Sequence, residues 1–405
     1  GKLPKLKARL VGGGDQQDKS LYHDISSPTA SLESIMITIA VGAAEDREFA
    51  TCDVTGAFLE AMMPTEHQVY MSLEPAIAKM VVELYPETEK YVCERGSITV
   101  RLLRALYGCV QSSKLWYDLL CSVLLSDDFV MNPYDPCVFN KLVHGEQITV
   151  CFHVDDLLIT SKSCMVIEAL EKLLKKHFSE VKFARGDKHC FLAMNITKED
   201  ELVAVDMREY IDSCVAERGT LVGANSPAHD DLFEVLESSP PLTSEAKEHF
   251  HSDVAKLLYL AKRTRKDILL AVSHLCSRVS IPTENDLAKL NRVIGYLGRS
   301  RELRTEFKRG EDVNLTAYVD ASFGTHSDGT SRTGTVIMLA GAAIGAWTNK
   351  QKIVTKSSTE AELVALSDGL PPVLWAREFM LSRGYAMAAT PIAQDNQGVL
   401  AILDK

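Results

Sequence analysis

Two adjacent aspartates, Asp155 and Asp156, interrupt an otherwise apolar stretch of the chain. Ile148, Val150, Phe152 and Val154 alternate with less apolar positions before them, and Leu157 to Thr160 resume after them. Alternation with period two marks a strand with one buried face, and two such runs around so short a break read as a hairpin with both acids at its tip. Nothing else in the sequence constrains the fold as tightly. Two like charges a few ångströms apart resist joint ionisation, so a site built on them needs a compensating cation. Hard Mg²⁺ prefers carboxylate oxygens and keeps positions open for phosphate and water. Acids at turns are also often simply solvated. Asp127 and Asp128 serve as an internal contrast, because they follow an amphipathic helix, lack strands on both sides and are read as a solvated helix end.

Around this hairpin the chain alternates helices and strands, which describes an α+β sheet domain to about residue 200. Ser27 and Pro28 read as an N-cap and first helical position, followed by Leu32, Ile35, Met36, Ile39, Ala40 and Ala43 at the spacing of an amphipathic helix. A short segment from Phe49 to Phe58 carries Asp53 at its centre. Leu115, Trp116, Leu119, Leu120, Val123 and Leu124 mark a second helix, Ile167, Leu170, Leu174 and Phe178 a third, and Phe191 to Ile196 a short strand. From Gly223 to Pro241 the composition is that of a linker. Helical stretches follow around Val254 to Val279 and Leu287 to Leu297. A last unit starts near Val313: strand Leu315 to Asp320, strand Thr333 to Leu339, a long helix from about Ser357 to Arg383, and strand Pro391 to Asp395.

That last unit presents a second acidic set, with Asp320 at a strand centre, Glu360 near a helix start and Asp395 at a strand end. Acids converging from separate elements form a metal constellation, because a buried cluster of like charge needs cations. Glu360 and Glu362 lie roughly 200° apart around a helix, so only one of them can face Asp320.

The 405 residues, 46% hydrophobic, suffice for two or three folded units. No apolar run approaches the roughly 18 residues that span a bilayer. The start, GKLPKLKARL, is basic with no apolar stretch behind it, unlike a signal peptide. A soluble intracellular protein is expected, and a first residue Gly1 suggests a piece of a longer polyprotein. Ten cysteines without a CxxC pair indicate neither zinc nor disulfides. The net charge of −11 conceals local cation clusters, among them Lys2, Lys5, Lys7 and Arg9, and Lys262, Arg263, Arg265 and Lys266.

The run CFHVDDLLITS resembles the strand–turn–strand of reverse transcriptases, TCDVTGAFLEA their first acidic motif, and LLRALYGCVQSSKLWYD their nucleotide-pocket motif. KLKARLVGGGDQQ and KLLYLAKRTRKDILLAVSHL narrow the resemblance to the copia-type retrotransposon family. YVDASFG, SSTEAELVAL and QDNQGVLAI resemble that family's ribonuclease H. These segments occur in family order over nearly the whole chain.

The resemblance implies a right-hand polymerase with fingers and palm over residues 1–205, thumb and connection helices over 206–312, and a ribonuclease H-like domain over 313–405. That last domain is expected to lack its final helix and fourth acid. Asp53, Asp155 and Asp156 would hold two Mg²⁺ ions, with Mn²⁺ as a substitute, for templated addition of deoxynucleotides to a primer 3′ end. Asp320, Glu360 (favoured by family position, with Glu362 solvated) and Asp395 would hold the metals that cleave the RNA of a hybrid. Phe58 would be the steric gate against a 2′-hydroxyl, and Tyr107 and Gly108 would line the nucleotide pocket. Lys7 and Arg9 would reach triphosphate oxygens, and Phe191 to Met194 would form the primer grip. The implied partners are an RNA template, a DNA primer, the RNA/DNA hybrid and deoxynucleoside triphosphates, without a membrane. The implied location is a cytoplasmic virus-like particle or the nucleus. Gly13, Ser113 and His153 depart from the family pattern, and Gly13, His153 and the missing ends motivate a competing expectation of a decayed element that binds nucleic acid without turnover.

Overall fold

A computed structural model describes residues 8–22, 24–66, 68–219 and 221–404. It is a mixed helix and sheet structure. Helix α1 (Leu32–Ala44) starts later than expected: Ser31, not Ser27, accepts the backbone N–H of Ser34, and Pro28 lies outside the helix. The helix is also not amphipathic in the fold. Every residue from Ser34 to Ala44 is buried, because sheets pack against it on more than one side. A helix apolar all round is a central one.

Strand β1 (Glu48–Val54) leads through the left-handed Gly56 into the single turn α2 (Ala57–Glu60). A projecting unit follows, made of β2 (Tyr70–Leu73), α3 (Pro75–Leu84) and β3 (Ile98–Arg101), with β2 and β3 paired antiparallel. Helix α4 (Ser112–Ser126) buries Trp116, Leu120, Val123 and Leu124 along one face, as their spacing requires. Then come β4 (Val130–Asn132), β5 (Asp135–Val143), β6 (Glu146–His153), β7 (Asp156–Ser161), α5 (Cys164–His177) and β8 (Val181–Arg185). These complete an antiparallel sheet of order β4-β5-β6-β7-β1-β8, which sets β1 between the acid-bearing strand β7 and the edge strand β8. Asp127 and Asp128 close α4, and Asp127 pairs with Lys141 at 2.9 Å, a surface role.

The single strand expected over Phe191 to Ile196 is in fact a tight hairpin. Strand β9 (Lys188–Phe191) turns through Leu192 and Ala193, both at positive φ, into β10 (Met194–Lys198). With β11 (Leu202–Asp206), β10 and β9 belong to a second antiparallel sheet. Helix α6 (Arg208–Arg218) precedes the irregular segment 221–243, which matches the linker composition. Helices α7 (Ser244–Arg263), α8 (Leu269–Arg278) and α9 (Glu284–Arg299) follow, the last opened by a Thr283/Asp286 capping box. Strand β12 (Thr305–Lys308) was not expected from the sequence. It returns to pair with β11, so the second sheet is closed by residues a hundred positions downstream.

The C-terminal unit holds β13 (Thr316–Ser322), β14 (Arg332–Leu339), β15 (Ala342–Lys350), α10 (Ser358–Ser382), β16 (Ile392–Ala393) and α11 (Gln397–Leu403). Its sheet runs β15-β14-β13-β16, with β13 and β16 parallel, and α10 lies across β13 and β14. The contact is close at Gly369, where a Cβ would stand 2.9 Å from Thr335 Oγ1. Buried arginines lock this unit to the first sheet. Arg47 donates to Tyr385 Oη at 2.9 Å, and Arg383 donates to Thr149 Oγ1 at 3.0 Å.

Candidate functional site

The β6–β7 hairpin that the sequence pattern implies is present, but its turn lies one residue earlier than expected, at Val154 and Asp155. Val154 sits at φ +60°, a conformation that a β-branched residue adopts only under constraint. The constraint is visible: the Trp116 indole N–H donates to the Val154 carbonyl at 2.7 Å, from a helix whose apolar face buries the ring. Asp155 therefore projects from a tethered turn, and Asp156 is the first residue of β7.

Strand register does the rest. Asp53 pairs with Asp156 on one side of β1 and with Lys182 on the other. The three aspartates thus come from one small region of sheet, and Lys182, which the sequence reading passed over, joins them. Its ammonium stands 3.4 Å from Asp53 Oδ2 and hydrogen-bonds Thr55 Oγ1. Burial, then the charges of Asp155 and Asp53, raise the Asp156 carboxyl above its ordinary pKa. Asp53, Asp155 and Asp156 offer hard carboxylate oxygens from one patch of sheet, the donor type that a divalent ion takes, although they are not drawn as close together as the acids of the C-terminal unit. Asp53, Asp156, Lys182 and Phe191 share a cleft of about 210 Å³. His153, just before the turn, is partly buried. Its imidazole is held below the usual histidine range by burial and then by the charge of Arg263.

The expected nucleotide-pocket residues form a second grouping. Phe58 and Tyr107 have ring centroids 4.8 Å apart, and the Arg9 guanidinium lies 5.4 Å from the centre of the Tyr107 ring. The Gly12 N–H donates to the Tyr107 carbonyl at 2.6 Å. Gly108, at φ +87°, lies so close to that segment that a Cβ would stand 2.2 Å from Gly12 O. Arg9, Phe58, Tyr107 and Gly108 are therefore neighbours, while Lys7 lies outside the described residues. Met194 needs correction as a substrate contact. It is fully buried in the core, as Phe191 nearly is, and the turn between them, Leu192 and the exposed Ala193, is what faces outward.

The second acidic set also differs from expectation. Among the described residues, one group of three acids draws its ligand atoms within 4.8 Å of one another: Asp320, Glu362 and Asp395. Glu360 is not in it. Its carboxylate folds back over the start of α10 and accepts the Lys356 backbone N–H at 2.7 Å, a capping role. Glu362, expected to be solvated, is buried and accepts from Gln394 Nε2 at 3.2 Å. Burial raises its pKa first, and the charges of Asp320 and Asp395 add to the rise. The helical rotation between the two glutamates was readable, but which of them faces β13 depends on how α10 is rolled against the sheet. Asp320 and Asp395 line a cleft of about 680 Å³ that Phe233, Leu269 and Leu270 also line.

A family profile described as "Reverse transcriptase (RNA-dependent DNA polymerase)" matches residues 2–229, more than half of the chain. The chain belongs to that family. Its curated relatives include two retrovirus-related Pol polyproteins of Arabidopsis thaliana. The one from transposon RE1 is 30% identical over 406 residues, and the one from transposon RE2 is 29% identical over 410. The Pol polyprotein from transposon TNT 1-94 of Nicotiana tabacum is 28% identical over 412 residues. Each match covers 98% of this reverse transcriptase chain but only 26%, 26% and 30% of the respective relative, so the chain is of copia type and spans about a quarter of their length. A crystal structure of prototype foamy virus protease-reverse transcriptase matches 94% of this chain and 42% of its own, at 14% identity and a TM-score of 0.25. No helix among the described residues is long and apolar enough to cross a membrane.

Proposed function

We propose that this chain is an RNA-directed DNA polymerase with an appended ribonuclease H, adding deoxynucleotides to a primer 3′ end. The observation that carries the reading is the register that sets Asp53 opposite Asp156, with Asp155 on a tethered turn beside them, in a chain of the reverse transcriptase family. Residues 1–205 are assigned to fingers and palm, 206–312 to thumb and connection with β12 returning to the palm, and 313–405 to the ribonuclease H-like part.

Asp53, Asp155 and Asp156 would hold Mg²⁺, and Asp320, Glu362 and Asp395 a second pair of ions. Bound there, the metals would lower the pKa of an attacking hydroxyl or water and neutralise charge on phosphate. The protein's own part is positional. Trp116 and the β1 register aim the acids, Lys182 balances the charge of Asp53, and Phe58 on the Tyr107 ring offers a rigid face under the sugar. Arg9 supplies a cation for triphosphate oxygens. The partners are an RNA template, a DNA primer, their hybrid and deoxynucleoside triphosphates, and the location is a virus-like particle or the nucleus.

Primer extension on an RNA template with Mg²⁺ tests the reading, with Asp155→Asn as the control. The wild-type chain should extend and the variant should not, while both bind template–primer. Equal extension by the variant refutes the site. Template–primer binding by the wild type without extension under Mg²⁺ or Mn²⁺ would identify a binding remnant instead.

A further inference from the structure

Two turns near the aspartates hold non-glycine residues at positive φ: Val154 at +60°, then Leu192 at +50° and Ala193 at +62°. Such backbone costs about 1–3 kcal/mol per residue and persists only where the surroundings over-determine it. Each turn is tied by one aromatic donor from a helix outside its own hairpin. For Val154 the donor is Trp116 on α4. For the other turn it is Tyr259 on α7, whose hydroxyl donates to the Leu192 carbonyl at 2.9 Å.

We propose that Tyr259 is a positioning residue that acts through the Leu192 carbonyl to fix the turn on which the primer end is seated. The proposal rests on the polymerase reading above. Three observations support it. The turn is the outward part of its hairpin, since Phe191 and Met194 on either side are buried. Phe191 and Cys190 line the same cleft as Asp53 and Asp156, so a shift of the turn is felt next to the acids. The Tyr259 ring is itself clamped, 5.3 Å from the Tyr210 ring, with the Arg263 guanidinium 3.4 Å from its centre and Arg263 Nη1 donating to the Tyr259 carbonyl. A clamped ring delivers its hydroxyl to one place with little freedom left to lose.

Tyr259→Phe keeps the ring and its clamp and removes only the hydroxyl. The full chain and this variant would be compared with an RNA template annealed to a DNA primer, reading template–primer Kd by fluorescence anisotropy, deoxynucleotide KM and kcat by extension, and Tm. The expected result is a Kd for template–primer raised about fivefold, roughly what one hydrogen bond is worth, with deoxynucleotide KM unchanged and Tm lowered by no more than about 2 °C. Trp116→Phe should instead lower kcat and leave that Kd in place. An unchanged Kd in Tyr259→Phe overturns the proposal, and so does an equal loss in every parameter accompanied by a larger fall in Tm. Failure of the wild type to extend sinks the polymerase reading alone, because the Kd comparison still reports on the turn.

Discussion

Replacing Glu362 with Gln should make the metal-free protein more stable and remove the part of its stabilisation by Mg²⁺ that the Asp320, Glu362 and Asp395 site supplies. The ligand atoms of Glu362, Asp320 and Asp395 lie within 4.8 Å, and none of these acids has an ion-pair partner among the described residues. At that spacing two unit charges repel by about 0.9 kcal/mol in water and about 3.5 kcal/mol at the effective dielectric of a protein surface. Asp320 and Asp395 are exposed, which favours the low end. Two neighbours then put the relief in Glu362→Gln at about 2 kcal/mol. For the wild type, Mg²⁺ at a hundred times its Kd should add about 2.7 kcal/mol. Glu360→Gln is the matched control: it keeps an acceptor for the Lys356 N–H, should lose at most about 0.5 kcal/mol from the helix N-terminus, and should keep the Mg²⁺ response. The assay is urea unfolding at pH 7.5 with EDTA and then with increasing Mg²⁺. A metal-free loss of stability in Glu362→Gln, together with an intact Mg²⁺ response, would refute the assignment of this carboxylate.

Val154→Gly should stabilise the chain by roughly 1 kcal/mol, because the left-handed position costs a β-branched residue more than the entropy that glycine adds; denaturant midpoints decide it. His274 is buried on α8 with its pKa lowered to about 4, chiefly by burial. The unfolded chain therefore binds a proton that the folded chain refuses, and stability is lost as pH falls below about 6.5. From pH 7.5 to 5 that amounts to about 2 kcal/mol, which His274→Leu should remove from the pH dependence of urea unfolding. Lys182→Met takes away the cation beside Asp53, so the Mg²⁺ concentration for half-maximal extension should fall; a rise would show that the lysine assists rather than competes.

Short-range pattern carried a good deal of this fold. The alternation before Asp155 and its resumption at Leu157 predict the β6–β7 hairpin, and the spacing of Trp116, Leu120 and Leu124 predicts α4, because both depend on which side of one element is apolar. Where the expectation failed, the missing information was a second element. Helix α1 reads as amphipathic but is buried all round, since sheets on several sides supply what its own sequence does not encode. The stretch from Phe191 to Ile196 reads as one strand. Its turn at Leu192 and Ala193 has no glycine to announce it, and a distant tyrosine hydroxyl holds it.

The sequence by itself determined that a hairpin carries Asp155 and Asp156 at or beside its turn, because period-two alternation around so short a break leaves the chain few other conformations. It determined too that only one of Glu360 and Glu362 can face Asp320, by helix geometry alone. Tertiary structure decided which one, through the roll of α10 on its sheet. It also decided that Asp53 meets Asp156 and Lys182, because strand register is a contract between segments a hundred residues apart. Such pairings are set by packing energy summed over whole faces, and no local window of sequence contains that sum.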